Sequence, residues 1–300
     1  MVESVHIEAA PERRRSTDGS SPGGPAADVP VRPAATVMLV RDTPAGLEVF
    51  VLRRVVGMAF AGGMTAFPGG AVDSTDHETS HETDHATGMA GSLRWSGPDP
   101  AWWGERLGVT ESKARALVVA AARELFEETG VLLAGPSVRR PGVDGEGAGD
   151  EPAPALTDAH RVAVLDRRAH FAGVLSAAGL DLRSDLLRPW ANWITPAGHS
   201  RRYDTFFFVA ELPDGQQARL LTSEADLGQW RTPQALLAEY DVGAVLLMPP
   251  TLAMLTDLAG VESVREVMTA RRVVTPVRFE DPGSAAGGVR TAVDERKELS

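Results

Sequence analysis

A short acidic stretch near the middle of the chain carries the side chains best suited to chemistry. In AARELFEETGV, residues 121 to 131, the carboxylates of Glu124, Glu127 and Glu128 fall within five positions, and Arg123 stands just before them. Ala, Leu, Arg and Glu favour helix, and spacings of three and four residues place side chains on one helical face. Like charges at this spacing repel each other by roughly 0.2–0.5 kcal/mol per pair. The stretch therefore predicts a helix with a crowded acidic face.

Binding of a hard divalent cation is the functional interpretation of these crowded carboxylates. Mg²⁺ binds a few carboxylates, keeps several waters and shares the rest of its sphere with substrate phosphates. Carboxylate ligands without Cys or nearby His suit Mg²⁺ or Mn²⁺ better than zinc. Such a metal neutralises phosphate oxygens and activates water for attack on phosphorus. The alternative is a solvated helix face, since glutamate is common on exposed helices, although Arg123 alone cannot offset three acids.

The composition of the whole chain limits the class of protein. With 300 residues, 43% hydrophobic and 24% charged, it has the make-up of a soluble globular protein. A net charge of −11 argues against nucleic acid as a partner. The absence of cysteine excludes disulfides and thiolate catalysis, and it fits a reducing cytoplasm. No run approaches the roughly 18–20 apolar residues of a membrane helix, so we expect no membrane partner and a cytoplasmic location. The sequence leaves a homodimer open.

Local composition divides the chain into one predicted domain and several irregular segments. Pro, Gly and Ser dominate the first of these, which we predict to be a disordered leader. The predicted segments are the leader at 1–33, the domain at 34–280, an insertion at 73–110, a flexible loop at 135–156 and a flexible tail at 281–300.

Hydrophobic periodicity predicts a mixture of strands and helices within the domain. The predicted strands are 35–42, 47–54, one starting at Val131, 190–195, 204–212 and 271–279; the predicted helices are 111–130, 158–179, 232–240 with Thr232 as N-cap, and 251–260. This mixture indicates an α/β (α+β) fold in which a mixed sheet is covered by helices.

Two motifs together resemble the signature of the Nudix hydrolases, G-x5-E-x7-R-E-U-x-E-E-x-G-U, where U is aliphatic. The second half of this box is matched by Arg123, Glu124, Leu125, Glu127, Glu128, Gly130 and Val131, and its entry resembles FPGG at 67–70. About 40 residues separate Gly70 from the predicted helix, so the box is split. Counted back from Arg123, the first glutamate of the box is replaced by Arg115, and Glu111 is the nearest acid.

The resemblance extends over roughly residues 34–275 and indicates one subgroup of the Nudix hydrolases. Further matching stretches are NWITP at 192–196, RRYDTFFF at 201–208, Glu224 ahead of Trp230, and LMPPTLAML at 247–255. Together with the split box, they resemble the Nudix subgroup that includes the animal peroxisomal coenzyme A diphosphatase. The resemblance implies a Nudix-type mixed β-sheet sandwiched between helices, with an insertion inside the box. It also implies Mg²⁺-dependent (or Mn²⁺-dependent) hydrolysis of a pyrophosphate linkage in a nucleoside diphosphate linked to another moiety, with coenzyme A or acyl-coenzyme A as the first expectation.

The same resemblance implies roles for individual residues. Glu124 and Glu128 would be metal ligands, and Glu127 a third ligand or the activator of water. Arg123 would hold the glutamates in place. Glu224 would be the downstream acid that acts as a further ligand or as the base.

Three other groups have both a functional and a structural interpretation. Gly69 and Gly70 would permit close passage of the backbone beside the helix, a structural role that supports the site; direct binding of substrate phosphate is less favoured, because no P-loop Lys-Ser/Thr follows. Arg202, beside Arg201, could clamp a substrate phosphate or lie in a surface turn. The histidines of HETSHETDH, His77, His81 and His85, have helical metal-ligand spacing, but their polar setting favours a flexible insertion.

A rival hypothesis from another class is a Nudix fold without catalysis, which senses a ligand or binds a partner. Arg115 in place of the motif's glutamate is its best support. The intact run from Arg123 to Gly130 speaks against it, because a pure binding module has no need of three crowded acids.

Overall fold

The apolar runs of the chain assemble into two sheets and seven helices in the part that the structure describes. The computed structural model describes residues 29–57, 61–77, 93–136, 156–220 and 222–278. The strands are β1 (Val31–Thr43), β2 (Gly46–Arg54), β3 (Thr65–Ala66), β4 (Gly69–Ala71), β5 (Trp95–Ser96), β6 (Ala134–Pro136), β7 (Leu180–Arg183), β8 (Leu187–Ile194), β9 (Arg202–Glu211), β10 (Ala225–Arg231) and β11 (Pro276–Arg278). The helices are α1 (Pro100–Leu107), α2 (Glu111–Thr129), α3 (Asp158–Leu165), α4 (Phe171–Ala177), α5 (Pro233–Asp241), α6 (Pro249–Ala259) and α7 (Val264–Thr269).

The large sheet is mixed and has the order β10-β2-β1-β9-β8-β11, with β3 paired to β2 and β4 to β1. Its centre is the parallel pair β1 and β9, whose register runs from Val31 opposite Arg202 to Val40 opposite Glu211. β1 pairs antiparallel with β2, and β8 with β9. The small sheet has the order β5-β7-β6. The predicted α/β (α+β) class with a mixed sheet is confirmed.

Helices cover both faces of the large sheet, because alternate residues of its strands enter two separate cores. In β1, Ala35, Val37 and Leu39 pack with α1, α2 and α4 on one face. Met38 and Val40 pack with α5, α6 and α7 on the other. This is the period of two expected of a strand buried on both sides. None of the described helices is long and apolar enough to cross a membrane.

Helix α2 is the element that presents the acidic stretch, and its ends lie close to the predicted ones. The hydroxyl of Thr110 accepts a hydrogen bond from the Lys113 amide, which starts the helix. Gly130 ends it with a φ of 74°, and its amide donates to the Phe126 carbonyl. Between these ends, small buried residues such as Ala114 and Ala121 allow close packing against the sheet.

Several predicted boundaries were wrong, and each error has a structural reason. The helix predicted over 158–179 is two helices, α3 and α4, because the chain turns at Arg167 with a φ of 57° and sends Phe171 into the core. The strand expected at Val131 begins at Ala134. β1 begins at Val31, inside the predicted leader, because pairing with β9 already starts there.

The predicted insertion, 73–110, is not irregular throughout. It contributes the 3-10 turn Ser74–His77 and the whole of α1. Asp99 caps α1 by accepting from the Trp102 amide at 2.8 Å, so the start signals were present in the sequence. Most of the predicted leader, loop and tail lies outside the described residues, as do His81 and His85. Their disorder stays a prediction.

Replacement of Trp103 by Ala tests whether α1 belongs to the main core. Trp103 is fully buried, and its ring lies 5.8 Å from that of Phe208 in β9. We expect W103A to lower the free energy of unfolding by about 3–5 kcal/mol, measured by urea denaturation. Trp102 is only partly buried, so W102A is the matched control with a smaller loss. Equal losses in the two variants would contradict the placement of α1.

Candidate active site

The last turns of α2 meet the loop around β4 at a contact that only glycine permits. A Cβ at position 70 would lie 2.5 Å from Oε1 of Glu124, and one at position 69 would lie 2.5 Å from the Ala35 carbonyl oxygen. The Gly69 amide donates to Oε2 of Glu128 at 2.9 Å. Both glycines therefore bring the backbone against the acids, as expected if their role is structural. Their contact with substrate phosphate stays a prediction.

Arg123 joins the acids to the loop through hydrogen bonds from all three of its guanidinium nitrogens. It is 7% exposed. Its Nη1 donates to Oε1 of Glu124 at 2.8 Å and to Oε1 of Glu127 at 3.1 Å. Its Nε and Nη2 each donate to a carboxylate oxygen of Asp76 at 2.8 Å, and Nη2 also donates to the Ala71 carbonyl. Charge-assisted hydrogen bonds of this kind are stronger than neutral ones and hold their partners in a defined geometry. Arg123 thus contacts two of the three glutamates, and its role in holding them for a metal ion stays a prediction.

Asp76 is a member of the site that sequence reasoning missed. It stands six residues after Gly70, where the box asks for glutamate, and it is 2% exposed. The first acid of the box is therefore present, and the inserted residues begin after Asp76 rather than at the predicted residue 73. The expectation that Arg115 takes this position is wrong: its guanidinium lies over the ring of Trp95, 5.7 Å from the centroid. Glu111 is in the first turn of α2, about 20 Å from Glu124 at 1.5 Å per residue. Counting forward from Gly70, rather than back from Arg123, would have found Asp76.

Burial sets the electrostatics of the three glutamates. It raises the pKa of Glu124 to about 7, with Arg123 opposing and Glu127 adding to the rise. It also raises the pKa of Glu127, again against Arg123. The pKa of Glu128 lies well above its usual value through burial and the charge of Glu124. Burial disfavours the charged form of Arg123, but the hydrogen bonds and charges of its acidic partners raise its pKa. The ionised cluster is therefore short of positive charge.

The donor set fits a hard divalent cation. Among the described residues, no three acidic or histidine side chains form a ready-made metal cage. Glu124 and Glu127 are turned towards Arg123, while Glu128 is turned towards Gly69. Mg²⁺ and Mn²⁺ take one or two carboxylates and complete their sphere with water and phosphate, so a closed cage is not required. The buried carboxylate oxygens and their unmet negative charge match that chemistry.

Arg54 and Glu224 form the other wall of the site. Arg54 ends β2, and the alternation of Phe50, Leu52 and Arg54 puts its side chain on the face that α2 covers. Its Nη2 lies 3.8 Å from Oε2 of Glu224, and its buried Nε has no hydrogen-bond partner in the described structure. Both residues line a small cavity together with Glu128. The structure thus brings Glu224 to the acids, and the same alternation would have identified Arg54.

Arg202 lies away from the acidic cluster of α2. Its Nε and Nη1 donate to the backbone carbonyls of Thr195 and Val29 at 3.3 and 3.2 Å. In the sheet it pairs with Val31, four residues from Ala35, which corresponds to about 13 Å along the strand. The structure does not bring Arg202 to the acidic cluster, and its role as a phosphate clamp stays a prediction.

Known proteins share both the sequence pattern and the fold. The human "Acyl-coenzyme A diphosphatase NUDT19" is 32% identical over 157 residues, which cover 51% of this chain and 41% of that protein. The "Putative nudix hydrolase 7" of Caenorhabditis elegans is 27% identical over 77% of this chain and 61% of its own length. The chain thus spans less than two thirds of either relative.

A solved structure and a family profile agree with these relatives. The crystal structure of a NUDIX hydrolase from Alicyclobacillus acidocaldarius superposes with a TM-score of 0.63 at 27% identity, covering 82% of this chain and 98% of that one. The profile described as the NUDT19 Nudix domain matches residues 31–258, about three quarters of the chain. On that match the chain belongs to the Nudix family, in the group of the NUDT19 Nudix domain.

Proposed function

We propose that this protein is a Mg²⁺-dependent (or Mn²⁺-dependent) pyrophosphohydrolase that cleaves a nucleoside diphosphate linked to another moiety. The observation that carries the proposal is the cluster of Glu124, Glu127 and Glu128 at the end of α2, which needs further positive charge to ionise. Arg123 donates to Glu124 and Glu127, while Glu128 accepts from the Gly69 amide. Family members generally use a divalent metal ion. Coenzyme A or acyl-coenzyme A is the first substrate to test, because that is the activity in the name of the human relative.

The residues of the site have distinct tasks in this reaction. A divalent ion bound by Glu124, Glu127 and Glu128 would neutralise phosphate oxygens and activate water. Arg54, whose Nε is buried and without a hydrogen-bond partner in the described structure, donates to a phosphoryl oxygen. Glu224 takes the proton of the attacking water, with Glu127 as the alternative base. The water oxygen bonds to one phosphorus, the bridging P–O bond breaks, and two phosphate monoesters leave.

The rival hypothesis of a non-catalytic module loses its support. It depended on the loss of the box's first acid to Arg115, and Asp76 occupies that position with two hydrogen bonds from Arg123. A cytoplasmic location, a homodimer and the absence of nucleic-acid and membrane partners stay predictions.

Neutralising single metal-binding carboxylates tests the reaction directly. We expect E124Q and E128Q each to lower turnover roughly 100-fold or more, because a ligand that stabilises transition-state charge is lost. Product release from coenzyme A, NADH, ADP-ribose and diadenosine polyphosphates with Mg²⁺ measures this. E111Q changes an exposed acid on the same helix and should leave turnover unaltered. Full activity in both site variants would refute the proposal.

Stability in the absence of metal should fall as pH rises. The pKa of Glu124 is raised to about 7 in the fold from an ordinary 4.5. Its contribution to stability is complete below the unfolded value and is lost as pH rises through the folded one. We therefore expect Tm in EDTA to decrease between about pH 5 and pH 8, and Mg²⁺ to stabilise more at the higher pH because it binds the ionised carboxylates.

Thermal melts of the wild type and E124Q, with EDTA or Mg²⁺, measure this effect. E124Q should make the fall of Tm in EDTA less steep, because the amide does not titrate, while the raised pKa values of Glu127 and Glu128 leave a smaller slope. A wild-type Tm in EDTA that is independent of pH, or a Mg²⁺ effect of equal size throughout, would contradict the electrostatic argument.

Neighbouring arginines of β2 provide a matched test of phosphate binding. We expect R54Q to lower kcat/KM about 10- to 100-fold, which corresponds to a charged hydrogen bond of roughly 1.5–3 kcal/mol. Arg53 points to the other side, where its Nε donates to Asp226 at 2.8 Å on the surface, so R53Q should behave as wild type. Steady-state kinetics with the best substrate of the screen measures both. Equal kcat/KM in the two variants would remove Arg54 from the mechanism.

A further inference from the structure

The C-terminal end of α2 carries negative charge that no basic residue in its last turn neutralises. Glu127 and Glu128 lie in its last turn, at the negative end of the helix dipole. That turn contains no basic residue. Arg123 lies one turn earlier and is already shared between Asp76, Glu124 and Glu127. Acids are least favourable at this end of a helix, so the turn that must present them needs support from outside α2.

Arg161 of α3 reaches this end of the helix. It is 1% exposed, and its Nε donates to the main-chain carbonyl of Glu127 at 2.7 Å. The carbonyl is among the last four of the helix, which have no partner within it. Burial lowers the pKa of Arg161 to about 10, so the guanidinium is charged at neutral pH. A cation is therefore hydrogen-bonded to the backbone of a predicted metal ligand.

The fit between Arg161 and Gly130 indicates that this placement is specific. A Cβ at position 130 would lie 3.2 Å from Nη1 of Arg161, so the glycine leaves room for the guanidinium. Nη1 and Nη2 are buried and have no hydrogen-bond partner among the described residues. Burying a charged group with unmet donors is a poor way to gain stability. A role of Arg161 in the metal site therefore explains its burial better than packing does.

The last residue of α2 and the chain after it are held by neutral contacts from the segment that follows β9. The Arg219 amide donates to the Thr129 carbonyl at 2.8 Å. The side-chain amide of Gln216 accepts from the Leu132 amide at 2.7 Å and donates to its carbonyl at 2.9 Å. These neutral bonds hold the last residue of α2 and the chain after it, whereas Arg161 brings a charge to the Glu127 carbonyl.

We propose that Arg161 is a positioning residue for the metal site. Its bond to the Glu127 carbonyl and its charge at the helix end keep the last turn of α2 in the geometry that presents Glu127 and Glu128 to the divalent ion. The inference rests on the proposed function. It also gives a function to α3, which lies outside the Nudix box and follows the predicted flexible loop at 135–156.

Substitution of Arg161, with Mn²⁺ affinity as the readout, tests the proposal. In R161M, which loses both the donor and the charge, we expect Mn²⁺ to bind about 10- to 100-fold more weakly, as for other residues that orient metal ligands. R161K keeps a charge and a donor and should recover most of the affinity. Calorimetry or the electron paramagnetic resonance of free Mn²⁺ measures binding by the full chain, and kcat should fall while KM changes little.

Arg219 supplies the matched control. Its side chain is exposed and pairs with Asp158 at 2.9 Å, while only its main-chain amide contacts the end of α2. R219Q should therefore bind Mn²⁺ as the wild type does. A lower Tm in R161M with unchanged Mn²⁺ affinity and kcat would overturn the proposal, because it would show a structural role alone.

A second variant covers the case in which R161M does not fold. G130A places a methyl group against Nη1 and should weaken Mn²⁺ binding; unchanged affinity in folded G130A overturns the proposal. The two proposals also fail differently. Normal Mn²⁺ affinity in the variants of an active enzyme refutes only the role of Arg161, whereas a wild-type chain that binds no Mn²⁺ refutes the proposed function and with it this inference.

Discussion

One buried guanidinium organises the centre of this protein. Arg123 donates to Asp76, Glu124 and Glu127 and to a backbone carbonyl, so a single side chain connects the loop after β4 with the acidic face of α2. A buried charge costs stability unless its partners satisfy it, and the partners of Arg123 therefore restrict the rest of the site. Gly70 must lack a side chain for Glu124 to occupy its place, and Gly69 must approach closely enough to donate to Glu128.

The same network leaves negative charge in excess, and that excess links structure to function. Arg123 is shared between Asp76, Glu124 and Glu127, Glu128 accepts from the Gly69 amide instead, and burial raises the pKa values of all three glutamates. An enzyme that binds hard divalent ions and phosphates gains from such a site, because the ion supplies the missing charge only when it binds. Arg54 and Glu224 then complete the wall on the side of β2, where the cavity lies.

The split of the Nudix box does not separate its parts in space, because both ends of the described insertion are anchored. Asp76 binds Arg123 at one end. At the other end, Trp103 of α1 is buried beneath the large sheet, and its ring contacts that of Phe208. Loop length adds only slowly to the entropy of closure, so an insertion between two such anchors costs little. The acidic helix and the FPGG loop therefore meet in spite of the residues inserted between them.

The sequence by itself determined the elements with local signals and the chemistry of α2. The capped helix with its acids at spacings of three and four, the alternating strands and the two glycines follow from residues close together in the chain. Tertiary structure alone decided which distant side chains join them. Arg161 reaches Glu127 across 34 residues, and Arg202 is turned to the carbonyls of Thr195 and Val29. Local periodicity carries no information on such pairs, because they depend on sheet register and helix packing rather than on spacing along the chain.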